Sequence, residues 1–152
     1  MAGTMAKDDL RYRMGCGGGA RTIEEGLAWA ANHDFHHVSF GADTGANALN
    51  TWDDARARGV RNLIAKHDFH LCVHTLSAVN VAEFSPYMSE AVDAYLNANI
   101  DLAKRLGAET VFVHGGLHQS SQIELRKQAS LDHIRRPPTT PSAPASGCCS
   151  RT

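Results

Sequence analysis

The chain has 152 residues, enough for one domain with a hydrophobic core, and its 15 basic and 16 acidic residues leave a net charge of −1. This balance disfavours a nucleic-acid-binding surface, and the sequence has no run of about 20 apolar residues that would cross a membrane. Four cysteines without a CxxC spacing argue against a disulfide framework or a zinc knuckle. Because the N-terminal segment lacks the apolar stretch of a secretion signal, we expect a cytoplasmic protein.

The first predicted strand is followed by a glycine-rich turn and a helix. The strand covers about Tyr12 to Cys16, and the helix begins near Ile23, after three consecutive glycines. Thr22 and Glu25 match the T-x-x-E capping box, in which two side chains satisfy free backbone N–H groups at a helix start. The sequence therefore predicts one strand–helix unit here.

The next segment repeats this order. Its strand covers about His37 to Gly41, and a loop rich in glycine and asparagine follows. Thr51 and Asp54 are spaced to cap a helix from Trp52 to Lys66. This segment predicts a second strand–helix unit.

Two further units follow, each with a short apolar strand. The third strand covers about His70 to His74, and after a longer loop a regular helix covers about Met88 to Leu106, with Gly107 suited to end it. The fourth strand, Thr110 to His114, is apolar until its last residue, as expected of a strand covered on both faces. Strands that alternate with helices predict an α/β fold with a parallel sheet.

The strand–helix pattern ends near Arg136. Ser121 and Glu124 form a capping box for a last helix that runs to this point. Residues 137–152 contain four of the five prolines and show no periodicity, so we predict a disordered tail and interpret the abrupt change as a frameshift or an artificial junction. The predicted organisation is an extension over residues 1–11, a folded region over 12–136 and a tail over 137–152.

Two of the nine histidines stand at the C-terminal tips of neighbouring predicted strands. His74 ends the third strand and His114 ends the fourth. In α/β barrels, side chains at these tips carry the chemistry. The pair predicts part of a metal site. Catalytic zinc usually takes three protein ligands, so two histidines are not a complete site. A structural role, with each histidine held by hydrogen bonds, stays open.

The other histidines and the loop acids have simpler interpretations. We expect the histidines to be structural or solvated, because surface histidines are common and usually solvated. His118, just past the Gly-Gly turn, could approach the mouth formed by the strand tips, but a solvated loop position is favoured. The loop carboxylates Asp43 and Glu83 lie on the side of the strand tips, where they could contact polar substrate groups or only solvent. The histidines concerned are His33, His36, His37, His67, His70, His118 and His133.

The glycine run allows an alternative interpretation as a dinucleotide-binding domain. Gly15, Gly17 and Ala20 match G-x-G-x-x-A between a strand and a helix, and Asp43 follows at the end of the next strand. In that fingerprint the helix begins within the glycines so that its N-terminus holds pyrophosphate. The capping box at Thr22 starts the helix later, which favours a glycine-rich loop without this role.

The strand-tip histidines and the segment before the second of them carry a resemblance to a known family. Tyr95 to Gly116 contains LNANIDLAKRLGAETVFVHGG, a helix ending in leucine and glycine followed by a strand ending in His-x-Gly. With His74 and His114 at the tips of strands three and four, this resembles the N-terminal half of the xylose isomerase-like TIM barrels. That superfamily includes sugar isomerases, sugar epimerases and abasic-site endonucleases. The resemblance covers about Tyr12 to Arg136.

The resemblance implies four successive βα units that form half of a (β/α)8 TIM barrel. In the endonuclease branch the matching histidines bind zinc, so it implies that His74 and His114 are metal ligands. In the sugar branch the metal is held mostly by residues of strands five to eight, which also supply the acid/base carboxylates. This sequence contains none of those strands, so we expect it to lack most catalytic residues.

The function implied first is that of a sugar or sugar-phosphate isomerase or epimerase that uses a divalent metal (Zn, Mn or Mg) on a carbohydrate substrate. Its chemistry would be proton transfer next to a carbonyl. A zinc-dependent abasic-site endonuclease is the alternative, which fits the histidines better but lacks a basic surface for DNA. A third hypothesis is a non-catalytic half barrel that forms a homo-oligomer through its open sheet edges.

Overall fold

The structure is a computed structural model that describes residues 10–19, 21–43, 45–116 and 122–138. Four parallel strands form one sheet in the order β1-β2-β3-β4, so each strand pairs with its neighbour in sequence. The predicted α/β fold, half of a TIM barrel, is confirmed. The elements are α1 (Leu10–Arg13), β1 (Gly15–Gly17), α2 (Ile23–Asn32), β2 (His37–Gly41), two 3₁₀ turns (Gly45–Asn47 and Leu49–Thr51), α3 (Asp54–His67), β3 (His70–His74), α4 (Pro86–Leu106), β4 (Thr110–Phe112) and α5 (Ile123–Arg135).

One face of the sheet is apolar and packs against the helices. Val38 and Phe40 of β2 and Leu71 and Val73 of β3 are each at most 3% exposed. These alternate residues lie on one face because successive side chains of a strand point to opposite sides. The helices contribute Ile23, Leu27, Val60, Leu102 and Leu106 to the same core.

The other face of the sheet is lined by small and polar side chains and by the ring of Phe112. The register pairs His37 with His70, Ser39 with Cys72 and Gly41 with His74 across β2 and β3. On β4, Thr110 pairs with Cys72 and Phe112 with His74. We call this surface the inner face, because in a closed barrel it would line the interior. It differs from the layers of branched apolar residues that usually fill such a barrel.

Local signals in the sequence explain several helix ends. The capping box is present: Glu25 N–H donates to Thr22 Oγ1 at 3.2 Å and Thr22 N–H donates to Glu25 Oε2 at 3.0 Å. The long helix α4 ends at Gly107, whose φ of 71° lies in the left-handed region that glycine tolerates best. The predicted capping box of Thr22 and Glu25 and the predicted helix end at Gly107 are both confirmed.

Two predicted boundaries are wrong. Tyr12 lies in α1 rather than in the first strand, because its ring is buried against His36 at a centroid distance of 4.5 Å and its hydroxyl donates to Asp68 Oδ2. Thr51 does not cap α3. It closes a 3₁₀ turn, and Asp53 is the N-cap, accepting from Arg56 N–H at 2.7 Å.

The C-terminal region also differs from the prediction. The strand β4 ends at Phe112, two residues earlier than predicted. The N-cap of α5 is Gln122, which makes no side-chain capping bond, and Ser121 lies outside the described residues. His118 and the tail from residue 139 onward lie outside them as well. In the part of the chain that the structure describes, no helix combines the length and apolarity needed to cross a membrane.

Arg56 links α2 to α3. Its guanidinium forms an ion pair with Glu24, at 2.7 Å from Nε to Oε1, and lies over the Trp52 ring at 4.1 Å from the centroid. The hydrogen bond from Arg56 lowers the pKa of Glu24 against the opposing effect of burial. This contact fixes α3 beside α2 on the outer surface of the sheet.

Candidate metal centre

His74 and His114 lie together at the C-terminal edge of the sheet, and we call them the strand-tip pair. The two Nε2 atoms are 3.0 Å apart, and the rings stack with centroids 5.0 Å apart and planes inclined by 23°. The Phe112 ring contacts both imidazoles edge-on. Its centroid lies 4.6 Å from the ring centroid of His74 and 5.2 Å from that of His114. The contact brings together two residues that are 40 positions apart in sequence.

The distance between the two nitrogens suits a hydrogen bond between the imidazoles, and it also suits a shared metal ion. Two imidazoles that bind one ion at ~2.0–2.1 Å have nitrogens about 2.9–3.4 Å apart, for octahedral or tetrahedral angles. The separation of 3.0 Å between Nε2 of His74 and Nε2 of His114 falls in this range. Among the described residues, no set of three or more His, Cys, Asp or Glu side chains is arranged to hold a metal. The pair would therefore provide a metal with two ligands from the described residues.

A cavity of about 330 Å³ opens beside the strand-tip pair, and we call it the mouth cavity. It holds hydroxyl, carboxylate and imidazole groups, which suits a small polar ligand. Asp43 lines it, so one of the two loop acids singled out in the sequence does lie beside the histidines. The residues around the cavity are Gly41, Asp43, His74, Thr75, Leu76, Ser77 and His114.

Tyr95 supports the wall of the mouth cavity from α4. Its hydroxyl accepts a hydrogen bond from Leu76 N–H at 2.7 Å. Burial, and secondarily the neighbouring Asp43 carboxylate, raises the pKa of Tyr95 to about 12. The Oδ2 atom of Asp43 is buried and has no hydrogen-bond partner among the described residues. In the sequence Tyr95 is only one of the regularly spaced residues of a helix, because nothing local shows that α4 passes behind this loop.

A second histidine pair occupies the opposite half of the inner face. The rings of His37 and His70 stack at 4.6 Å, and Glu109 Oε1 lies 2.9 Å from His70 Nδ1. Burial, followed by the charge of His70, lowers the pKa of His37. A cavity of about 470 Å³ lies over this part of the sheet. The position near the N-terminal ends of the strands is where barrels keep structural residues.

His133 is buried and hydrogen-bonded, so it takes the structural rather than the solvated of the two roles expected for it. Its Nδ1 lies 2.6 Å from Asp93 Oδ1, and its Nε2 lies 3.1 Å from the Glu83 carbonyl oxygen and 3.3 Å from Ser89 Oγ. Arg136 also contacts Asp93. These contacts fasten α5 to α4 and to the loop before it.

The glycine-rich loop after β1 does not take the geometry of a dinucleotide fingerprint. Gly18 N–H donates to Ser39 O at 2.8 Å, so this group is already paired with the backbone of β2. The helix α2 starts only at Ile23, beyond the glycines. The loop therefore serves to connect β1 with α2.

The comparisons with known proteins agree with this architecture. A solved structure described as a D-tagatose 3-epimerase-like protein is similar, with a TM-score of 0.65, 17% sequence identity and 79% of this chain covered. The match covers 45% of that protein, so the chain spans less than half of its length. No curated protein matches the chain in sequence. The model of the xylose isomerase-like TIM barrel family matches residues 27–136, and the chain belongs to that family.

Proposed function

We propose that this chain carries one wall of the active site of a sugar isomerase or epimerase, in which His74 and His114 contribute two ligands to a divalent metal. The observation that carries the proposal is the strand-tip pair itself, with Nε2 atoms 3.0 Å apart at the C-terminal edge of the sheet. The family and the epimerase-like neighbour support the general kind of enzyme. Zn, Mn and Mg are the ions to test, and a small carbohydrate is the substrate class.

The residues of the mouth cavity suit a polyhydroxylated ligand. Thr75 and Ser77 line the cavity and carry hydroxyl groups, and Asp43 provides a carboxylate that accepts hydrogen bonds from hydroxyl groups. His74 and His114 bind metal in the neutral form, through Nε2. A bound divalent ion would polarise the oxygens of a carbonyl substrate. In the sugar branch of the family, the general base of the proton transfer is a carboxylate from strands five to eight.

The first experiment is a metal titration of the purified chain. We expect Zn²⁺ or Mn²⁺ to bind to the unmodified protein, and His74→Ala or His114→Ala to lower the affinity at least ~10-fold. His67→Ala is the matched control, because His67 ends α3, at the end of the sheet away from the strand tips. Equal affinity in all four proteins would show that the strand-tip pair is not the site.

A zinc-dependent abasic-site endonuclease is the second candidate. It is favoured by the same observation, because histidines that end strands three and four are the ligands expected in that branch. The net charge of −1 counts against it, since backbone phosphates are bound by Lys and Arg. Titration with abasic DNA over a salt series separates the two candidates, because absence of binding at low salt removes the endonuclease.

A further inference from the structure

Three side chains between α4 and α5 form a serine–histidine–aspartate arrangement, which we call the helix triad. Ser89 Oγ lies 3.3 Å from Nε2 of His133, and Nδ1 of the same ring lies 2.6 Å from Asp93 Oδ1. Ser89 and Asp93 are one turn apart on the same side of α4, and His133 contacts both of them from α5. A serine within reach of a base that is itself oriented by a third group is the geometry of an activated nucleophile.

The hydrogen bonds of His133 decide which of its ring nitrogens can act as a base. A carboxylate oxygen only accepts hydrogen bonds, so the contact with Asp93 requires a proton on Nδ1. In the neutral ring, Nε2 then carries the free lone pair. The neighbours of Nε2 are Ser89 Oγ and the Glu83 carbonyl oxygen at 3.1 Å, and of these two only the serine hydroxyl has a proton to donate. The neutral ring is therefore placed to accept the proton of Ser89.

The same surroundings also suit the ring after it has taken this proton. The new Nε2–H group finds an acceptor in the Glu83 carbonyl oxygen, while Nδ1–H stays bonded to Asp93. Arg136 forms an ion pair with Asp93 and so holds the carboxylate in place. The side chain of His133 is 1% exposed, so water does not compete with Ser89 and Asp93 for the ring nitrogens.

A cavity of about 230 Å³ opens beside the helix triad. It shares no lining residue with the mouth cavity, so the two sites are separate. Ser89 is half-buried and lies in its wall. Phe84, Leu125 and Ala129 give the cavity an apolar part, and its small volume limits what can fill that part. These properties suit the short acyl chain of an ester.

The position of Ser89 in α4 suits the charge that develops during an attack on a carbonyl group. Ser89 is the fourth residue of this helix of 21 residues. The first N–H groups of a helix have no acceptor within it, and the N-cap Ser85 makes no side-chain capping bond. The positive end of the helix dipole therefore lies beside Ser89, where it would stabilise the negative carbonyl oxygen of a tetrahedral intermediate.

We propose that the helix triad is a second active site, which hydrolyses short-chain carboxylic esters with Ser89 as the nucleophile. The Ser89 oxygen attacks the ester carbonyl carbon while Nε2 of His133 takes the hydroxyl proton. The bond to the alcohol oxygen breaks, the alcohol leaves with that proton, and an acyl-serine remains. Water, deprotonated by the same nitrogen, then releases the carboxylic acid and restores Ser89. Ser89 and His133 are the catalytic residues, and Asp93 is a positioning residue that holds the imidazole.

Labelling of the full chain with an alkyl fluorophosphonate provides the test, because this reagent phosphonylates an activated serine and releases fluoride. We expect an adduct at Ser89, located by mass spectrometry of peptides, and no adduct at this position in Ser89→Ala. Hydrolysis of p-nitrophenyl acetate should be at least ~10-fold slower in Ser89→Ala than in the unmodified chain. A folded chain in which Ser89 stays unlabelled would overturn the proposal.

Two variants that each remove one negative charge separate catalysis from a purely structural contact. In Asp93→Asn the new amide N–H group can donate to Nδ1, which moves the ring proton to Nε2 and removes the base. We expect Ser89 to be labelled at least ~10-fold more slowly, at a temperature where circular dichroism shows a folded chain. Glu90→Gln changes an exposed residue next to Ser89 and should leave the labelling rate unchanged. Equal rates in both variants and the unmodified chain would show that the helix triad is only structural.

Discussion

Histidines with similar sequence surroundings have very different roles in this chain. The strand-tip pair could be located from the sequence because each member ends an apolar strand, and parallel strand ends meet at one edge. The burial of His133 could not, because its partners Asp93 and Glu83 are 40 and 50 residues away. Whether a histidine on a helix is buried depends on its contacts with residues that are distant in sequence. The sequence of the helix itself does not show these contacts.

Substitution of His133 should destabilise the fold. His133→Ala removes bonds to Asp93 and to the Glu83 carbonyl and leaves a cavity, so we expect the free energy of unfolding to fall by about 2–4 kcal/mol. Urea unfolding followed by circular dichroism measures this loss. His67→Ala should change stability by no more than about 0.5 kcal/mol. A loss of that small size for His133→Ala would mean that the contacts to Asp93 do not stabilise α5.

Tyr95 should ionise at high pH. Its pKa is raised to about 12, so the neutral phenol is favoured in the folded protein. Because a raised folded-state pKa stabilises the protonated form, this contribution is present below the ordinary tyrosine pKa of about 10 and is lost as the pH rises towards 12. The ultraviolet absorbance of phenolate, compared with Tyr95→Phe, isolates this residue. A Tyr95 step at the ordinary tyrosine pKa would show that the hydroxyl is solvated.

At the level of the elements, the central strands were predictable and the edges were not. β2 and β3 have the predicted limits because apolar residues alternate over five positions in each. β1 consists of Gly15–Gly17, and glycines give no alternation to count. The α3 start was misplaced because Thr51 and Asp53 both fit a capping position, and only the packing of the 3₁₀ turn distinguishes them. The wall of the mouth cavity is supported by Tyr95 of α4, and no local sequence pattern reveals this contact.

A pair of glycine substitutions tests the end of α4 and the interior of α3. Gly107 has a positive φ of 71°, so Gly107→Ala should lower stability by about 1 kcal/mol. Gly59 lies inside α3 with open space around its Cβ position, so Gly59→Ala should raise stability by roughly 0.5–1 kcal/mol. Thermal unfolding of the two variants should shift in opposite directions. Shifts of the same sign would contradict the left-handed end of α4.

In the molecule as a whole, the two faces of the sheet differ from each other, and the central strands differ from the edge strands. Its outer face is apolar and covered by helices, whereas its inner face is polar and open, and among the described strands β2 and β3 alone are paired on both sides. The sequence predicted apolar strands, with the fourth covered on both faces, whereas Thr110 and Phe112 of β4 are exposed. The difference between central and edge strands depends on the number and order of strands in the sheet. The periodicity within one strand gives no information about either.

Hydrogen exchange should follow this arrangement. Amides of β2 and β3 lie in the centre of the sheet, so we expect them to exchange most slowly among the strands, and those of β1 and β4 faster. Mass spectrometry of peptides from the metal-free chain measures the order. Uniform protection in all four strands would show that the edge strands are as well covered as the central ones.

The strand β3 carries one imidazole of each histidine pair, His70 and His74, four residues apart on the same face. At the rise of an extended strand, this spacing is about 13 Å. A paramagnetic ion bound at the strand tips would therefore broaden the ring signals of His74 and His114 first and those of His70 and His37 much less, since relaxation falls steeply with distance. The known spacing of His70 and His74 along β3 therefore provides a distance scale. Graded broadening of the four histidine signals by Mn²⁺ would locate the ion along the direction of this strand.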